Sequence, residues 1–591
     1  MTHAQELAKI FFEFSSRDAM RGIPFKPRAY ELASESMTAL GDDVETTWKK
    51  DGIPGLKKLP GIGQHIAEKI DEYFRTGKIT EYVKMKKEFP VDIWGLSRIE
   101  GLGPKHILDL YTHLRVQTVD DLKRQLTSHK IQTIPRWGKK SEQKLFKQLQ
   151  LSESATGRHL LGEILPTAES IVTALKKIPG VQQCVVAGSI RRRQETVGDI
   201  DLIATSSHPE RVMDAFVNLP LVETVHEKGK TRSSVRLKIG IDADLRVVPN
   251  AVFGATLQYF TGDKRHNVLL RERALAKGFT LNEYGLFRLA KHGSATIKRV
   301  AGALVTCKTE NDIYKHLGMD TPPPELRVGS DELEAAQKRQ LPDLLPYGSV
   351  RGDLQVQTSW TDGNASIEEM AVAAKKSGLS YIAITDHTKS LAFLNGLDEK
   401  RLAKQQQEIT TLNKKLKWFT IFSGTECDIL KDGSLDLSNA ALAKLDWVGV
   451  SIHSHFNLSR TEQTKRIITA ISNPYVDCLF HPTCRLIGKR EPIDIDLDDI
   501  LAAAKKYHVA LEIDCFPDRS DLNDLHVRAA IKAGVMLVID TDAHAPEHFA
   551  FVPLGEAIAR RGWATTANIL NTKTAAQLKT FLAKKKAHTV G

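Results

Sequence analysis

Cysteine is scarce in this chain: six residues in 591, at Cys184, Cys307, Cys427, Cys478, Cys484 and Cys515, with no Cys-x-x-Cys pair. That scatter excludes a disulfide framework and is read as reduced core residues. No apolar run approaches the length needed to cross a bilayer. The opening MTHAQELAKIFFEF has no basic start, long apolar core or small-residue cleavage site, so no secretory signal is read and a cytoplasmic, nucleoid-associated location is expected. Acidic residues are in deficit, 72 against 83 basic, leaving a net charge of +11 and a pI near 9.1. Such a balance favours an acidic partner, nucleic acid before others. Basic clusters recur at Lys57-Lys58, Lys84 to Lys87, Arg191 to Arg193 and Lys228 to Arg232.

Residues 1–150 read as short amphipathic helices joined by turns, and from about 160 helices alternate with β-rich runs. TPPPEL and a polar stretch ending LPDLLP mark 319–346 as an extended, semi-rigid linker. Beyond it, apolar runs alternate with helical patterns as in an α/β barrel or wound sheet. In the first part LPGIGQHIAEKI (59–70) and IEGLGPKHILDL (99–110) fit a helix-hairpin-helix pattern, through Gly61 and Gly63 and through Gly101 and Gly103. IPRWGKKSEQKL (134–145) departs from it, with Arg136 where the first glycine belongs. Such a turn brings glycine backbone close to a phosphate, and the helix N-terminus that follows attracts the anion. The grip on DNA is then independent of sequence. His65 and Lys69 share one helix face, and a lysine beside a bound phosphate can attack an aldehydic sugar as an amine nucleophile.

The strongest constellation is GSIRRRQETVGDIDLIA (188–204). Asp199 and Asp201 alternate on a predicted strand and so face one way. A later strand, IDADLRVVP (241–249), brings Asp244, with Asp242 one alternation before it. Three carboxylates on neighbouring strands can hold two Mg2+ or Mn2+ ions. Gly188 and Ser189 offer turn donors to phosphate, and Arg192 adds a charged grip. Gly-Ser, arginine, then Asp-x-Asp is the nucleotidyltransferase pattern. In 381–544, six apolar runs end in metal-ligand residues: Asp386-His387, Glu426, His453 with His455, His481, Glu512 with Asp514, and Asp542 with His544. Barrel strands deliver such ends to one mouth.

FKPRAYELA (25–33), PGIGQHIAEKIDEYFRTGKI (60–79), the Asp199–Asp201 motif and QYFTGDKRHNVLLRERALAKGFTLNEYGLF (258–287) together resemble the family X DNA polymerases over residues 5–318. The resemblance implies a deoxyribose-phosphate lyase nucleophile at Lys69 and 5′-phosphate contacts at Lys26 and Tyr30, with His65 replacing the family's lysine. It selects Asp244 over Asp242. It places Tyr259, Phe260 and Gly262 at the incoming sugar and Asn267 and Arg271 at the nascent base pair, while Lys264 departs from several relatives. The C-terminal part resembles a PHP domain, commonly fused to bacterial family X polymerases and cleaving phosphodiesters in relatives, as a 3′–5′ exonuclease and sometimes an abasic-site nuclease. Relatives carry Asp-Leu-His-x-His where this chain has Asp353-Leu354-Gln355-Val356-Gln357. Asp362, His387, Glu426, His453, His481, Asp542 and His544 remain for Zn2+ or Mn2+, and two amides for imidazoles imply weakened metal binding and low or lost exonuclease activity.

The expected architecture is multidomain α/β. It comprises a lyase-like helix-hairpin-helix domain (1–85), helix-hairpin-helix fingers (86–150), a nucleotidyltransferase palm with a mixed β-sheet (151–250) and a thumb-like nucleotide-selection subdomain (251–318). The linker (319–346) and a distorted (β/α)7 PHP barrel (347–591) follow. The expected function is gap filling by a monomer on gapped or nicked DNA with dNTPs. Two alternatives stand beside it: a chiefly PHP-type DNA phosphoesterase, and a non-catalytic scaffold for DNA ends.

Overall fold

A computed structural model describes residues 3–24, 26–40, 43–59, 61–97, 99, 101–154, 157–289 and 299–590. Phe25, Pro60 and Glu100 of the motifs above lie outside the described residues. The chain divides into two compact units, one of residues 1–156 with the short pieces 238–240 and 488–490, the other of the remainder.

The first unit is helical. In Gln64–Thr76 the buried residues Ile66, Ala67, Ile70 and Tyr73 recur at helical spacing, and Gly77 ends the helix in the left-handed region. Gly61 and Gly101 have φ of 69° and 89°, and Gly63 and Gly103 precede the helices Gln64–Thr76 and Pro104–Leu114. The third repeat follows the same path: Arg136 takes φ of 72° and Gly138 precedes Lys139–Ser154. The departure noted in the sequence is therefore one of residue type, not of backbone.

The second unit opens with a five-stranded mixed sheet in the order Val181–Val186, Asp199–Ser206, Asp242–Val247, Arg232–Leu237, Val222–Lys228. Only the central pair, Asp199–Ser206 with Asp242–Val247, is parallel. Ile200, Leu202, Ile203 and Ala204 are buried, which fixes the face their acidic neighbours take. The helices Phe253–Thr261 and Lys264–Ala276 follow, the latter capped by Asp263, whose carboxylate accepts the His266 N–H at 2.7 Å.

Residues 319–346 differ from the extended linker expected of them. They form a short turn of helix, Pro324–Leu326, and the helix Glu332–Lys338. Leu333 and Ala336 join a core with Leu270, Ala274 and Ile313. Apolar residues between the prolines and the charges allow this burial.

The C-terminal part is a parallel sheet of seven strands in sequence order: Gly352–Val356, Tyr381–Ile384, Thr420–Asp428, Trp447–Ser451, Cys478–Leu479, Ala510–Asp514 and Leu537–Asp540. A Val356–Ala543 bridge joins the ends into a near-closed barrel. The strands are buried along almost their whole length, as a parallel sheet covered by helices requires. All six cysteines are free and buried. No helix among the described residues is long and apolar enough to cross a membrane.

Candidate active site and metal centres

The parallel register pairs Asp199 with Asp242 and Asp201 with Asp244. Asp201 and Asp244 are therefore direct neighbours across two strands, and Asp199 stands one alternation along the same face. Crowding shows in their protonation. Burial first, then Asp199 and Asp244, pushes the Asp201 carboxyl up to about 7, and burial with Asp244 raises Asp199. Asp244 Oδ1 is buried without a partner. Three acids held together at this electrostatic cost fit divalent cations, which relieve it when bound. Asp242 has partners of its own: Arg236 Nη1 donates to its Oδ1 at 2.9 Å, and His226 Nε2 lies 3.3 Å from the same oxygen.

Gly188 is pressed against this cluster. Its φ is 60°, and a Cβ there would collide with the Asp201 carboxylate. Ser189 and Arg192 lie in the turn that follows. Arg192 Nη1 donates to the Thr261 carbonyl at 2.7 Å, while its Nε is buried and unpartnered. Arg191, beside it, is fixed by Glu310 at 2.8 and 2.6 Å. Arg158 was not singled out in the sequence. It donates to Thr196 Oγ1 at 3.0 Å and to the Thr196 carbonyl at 2.6 Å, and its charge acts on both Asp199 and Arg192. It precedes the helix Leu161–Lys176 with no motif around it to mark it.

The segment Gln258–Asn267 is tied together from within. Asn267 Nδ2 donates to the carbonyls of Tyr259 (2.7 Å) and Gly262 (3.0 Å), and its Oδ1 accepts from Gln258 at 2.9 Å. The Asn267 amide is thus spent on holding the turn. Tyr259 and Phe260 meet edge-to-face at 5.3 Å, and Arg246 lies 4.6 Å from the Phe260 ring centre. Arg271 is exposed, as is Lys264.

In the helical unit, Lys69 pairs with Glu81 at 2.5 Å, and His65 is 92% exposed beside Glu68. Lys26 is exposed. Tyr30 is packed between Phe14 (5.1 Å) and Phe11 (6.1 Å), and burial lifts its hydroxyl to about 12. Gly63, Gly103 and Gly138 would each accept a Cβ with nothing within 4 Å. The first two have ordinary φ of −78° and −70°. No contact among the described residues asks for glycine there, which leaves open backbone for an approaching molecule.

At the barrel mouth, Glu426 is the hub. His481 Nε2 lies 2.9 Å, His453 Nε2 3.2 Å and His387 Nδ1 3.4 Å from its carboxylate. Asp362 meets His544 at 3.4 Å and His387 at 3.7 Å. Two sets have ligand atoms close enough to share an ion: Asp362 with His387 and His544, and His387 with Glu426 and His453. His453 also leans on Asp428 at 3.1 Å, a residue that sequence reading missed. Burial disfavours the imidazolium at both His453 and His544. Asp428 and Glu426 nevertheless lift His453 to about 9, and Asp542 and Asp362 lift His544 to about 10. His455 is exposed and outside both sets. Asp386 is a strut, bonded to Thr358, Thr361 and Gln405.

The other side of the mouth is different. Gln357 Nε2 donates to Glu426 at 2.7 Å, capping an oxygen an imidazole-bound ion would claim, and both amide atoms of buried Gln355 lack partners. Asp542 faces Arg519 at 3.5 Å, and Arg519 also reaches Asp514 at 3.3 Å. The histidine side fits a metal; the glutamine side, with an arginine countering its acids, does not.

Comparison with known proteins accords with each part. A helix-hairpin-helix domain profile matches residues 2–79, a helix-hairpin-helix tandem 95–151, the DNA polymerase beta thumb 256–328 and the PHP domain 353–515. The DNA polymerase/3′-5′ exonuclease PolX of Bacillus subtilis (strain 168) is 36% identical over 561 residues, spanning 95% of each chain. This chain belongs to the PolX family of DNA polymerases. DNA polymerase lambda of Rattus norvegicus is 26% identical over 44% of this PolX-family chain and 46% of its own length. A probable phosphatase of Caldicellulosiruptor bescii is 31% identical over 30% of the chain and 73% of its own. The PolX assignment accounts for helix-hairpin-helix, polymerase beta thumb and PHP parts in one polypeptide.

Proposed function

We propose that this PolX-family chain fills gaps in DNA during repair, extending a primer 3′ end with dNTPs at Asp199, Asp201 and Asp244. The observation that carries the reading is the register that sets Asp201 beside Asp244, with Gly188 packed onto Asp201. These carboxylates would hold two Mg2+ or Mn2+ ions, which supply charge neutralisation at the transferring phosphoryl group and acidify the attacking hydroxyl. The chain's own part is to orient. Arg192, with Ser189 and the Gly188 turn, faces the triphosphate, and Arg158 adds positive charge beside Asp199. Asn267 keeps the Tyr259–Gly262 turn in the shape that receives the sugar. Gly63, Gly103 and Gly138 offer backbone N–H groups to DNA phosphates. Primer extension on a gapped duplex with Mg2+ or Mn2+ tests this: wild type extends, Asp201→Ala does not, and equal extension by both would end the proposal.

The barrel is proposed to bind Zn2+ or Mn2+ only on its histidine side, leaving 3′–5′ exonuclease activity low or absent. Gln355 and Gln357 support this, because an amide replaces imidazole at both positions. Lys69 is proposed as a lyase nucleophile. Its ion pair with Glu81 must open first, and borohydride trapping of an abasic-site adduct that disappears in Lys69→Ala is the expected result.

A further inference from the structure

We propose that Glu195 is a positioning residue for nucleotide addition, clamped by two arginines of the barrel, Arg485 and Arg561. The barrel thereby sets the loop that carries the triphosphate grip. This rests on the role assigned above to Ser189, Arg192 and Asp199.

The loop is short. Ser189 and Asp199 are ten residues apart, and the path between them is fixed at few points. Arg193 takes φ of 55°, and the Gln194 N–H returns to the Ser189 carbonyl at 3.0 Å. Beyond it, Thr196 pairs with Leu160 and Val197 with His159, and the Glu195 carbonyl accepts the Leu161 N–H at 3.0 Å. The centre of the loop is held from the barrel. Arg485 Nη2 reaches the Glu195 carboxylate at 2.6 Å, and Arg561 Nη2 meets the same oxygen at 3.3 Å. Arg561 Nη1 also donates to the Arg193 carbonyl, one residue from Arg192.

Both arginines are themselves anchored. Arg485 Nε donates to the Ser520 carbonyl at 3.1 Å, and Arg561 Nε pairs with Asp524 at 3.1 Å. The Arg561 side chain is 2% exposed, and its buried charge is balanced by Glu195 and Asp524. The helix that follows Leu160 is packed closely against the barrel. A Cβ at Gly162 would come within 2.9 Å of both Leu554 and Pro517. Arg192 Nε and Gln194 Nε2 are buried without partners among the described residues, so these two donors add nothing to the hold that the barrel supplies. A clamp of this kind fixes where Arg192 and Asp199 stand, and small misplacements of such groups are costly.

The test uses the full-length chain on a one-nucleotide gap, with KM for the dNTP, kcat and gapped-DNA affinity measured separately. Glu195→Gln and Arg485→Met are expected to raise the dNTP KM about tenfold, with DNA affinity unchanged. Arg485→Lys should restore most of that loss, and the Glu195→Gln/Arg485→Met double variant should be no worse than either single. Arg561→Met, at the buried position, serves as a third variant if it folds; the first two decide without it. A dNTP KM within twofold of wild type in both, or a lowered melting temperature with KM unmoved, would overturn the proposal by making the clamp merely an interface. A wild type that fails to extend primers would instead remove the reading on which the clamp rests.

Discussion

Replacing Asp201 by asparagine should remove activity and stabilise the metal-free protein at the same time. In the absence of ions, burial and then Asp199 and Asp244 displace the Asp201 carboxyl from the ordinary 3.8 to about 7. Each pH unit of displacement is worth about 1.4 kcal/mol, so ionising this group costs the metal-free fold at most about 4 kcal/mol. The sign follows from proton uptake. The folded state binds the proton more tightly than the unfolded one, so the cost is absent below about pH 4, grows between 4 and 7, and is full above 7. Asparagine keeps the shape and carries no charge. With chelator present, Asp201→Asn should melt several degrees above wild type at pH 8, and the two curves should converge by pH 4. Saturating Mg2+ should raise the wild-type melt more than the variant's, because the variant has lost a ligand. Primer extension should fall roughly 10³-fold. Coincident melting curves at pH 8 in chelator would refute the crowding argument, and near-normal extension by the variant would refute the catalytic one.

Gln355→His with Gln357→His should increase Mn2+ bound per chain and primer digestion; digestion no faster than wild type would sink the account of the weakened barrel. Because His453 and His544 are lifted to about 9 and 10, both carry protons at pH 7 without metal. Metal binding there should release about two protons, read by calorimetry in buffers of different ionisation enthalpy, and affinity should rise with pH up to about 10. Proton release near zero would contradict the charged histidines. Glu310 is held at about 2, against its burial, by Arg327 and then Arg191. Its stabilisation is therefore present above pH 4.5 and lost as pH falls toward 2. Glu310→Gln, leaving Arg327 1% exposed without that carboxylate, should cost about 3 kcal/mol in urea unfolding at pH 7, and a loss under 1 kcal/mol would show the pair to be dispensable.

What the sequence revealed depended on distance along the chain. Asp199 and Asp201 were legible because strand alternation is a local rule, and Gly188 because it sits thirteen residues before Asp201 in one motif. Choosing Asp244 over Asp242 needed the resemblance; the contacts of Asp242 with Arg236 and His226 lie across strands and could not be read from the motif. Six of the seven barrel strands announced themselves as apolar runs with ligands at their ends; the Asp428–His453 and Arg519–Asp542 contacts did not, because each joins segments far apart in the chain. Glu195 was invisible for the same reason: Arg485 is 290 residues away. Two local readings also needed the backbone. Arg136 adopts a conformation usually left to glycine, and the proline-rich stretch at 319–346 buries enough leucine to fold.

The near-closed barrel has a consequence for how the chain is made. Its first strand is locked by its last: Asp353 accepts from Thr541, and Leu354 donates to Asp540. Asp353 and Thr541 are separated by 188 residues, and at about 5–20 residues per second a ribosome needs roughly ten to forty seconds to supply the second after the first. Throughout that interval one edge of the nascent sheet stands unpaired, and a chain broken off anywhere short of residue 540 keeps it that way.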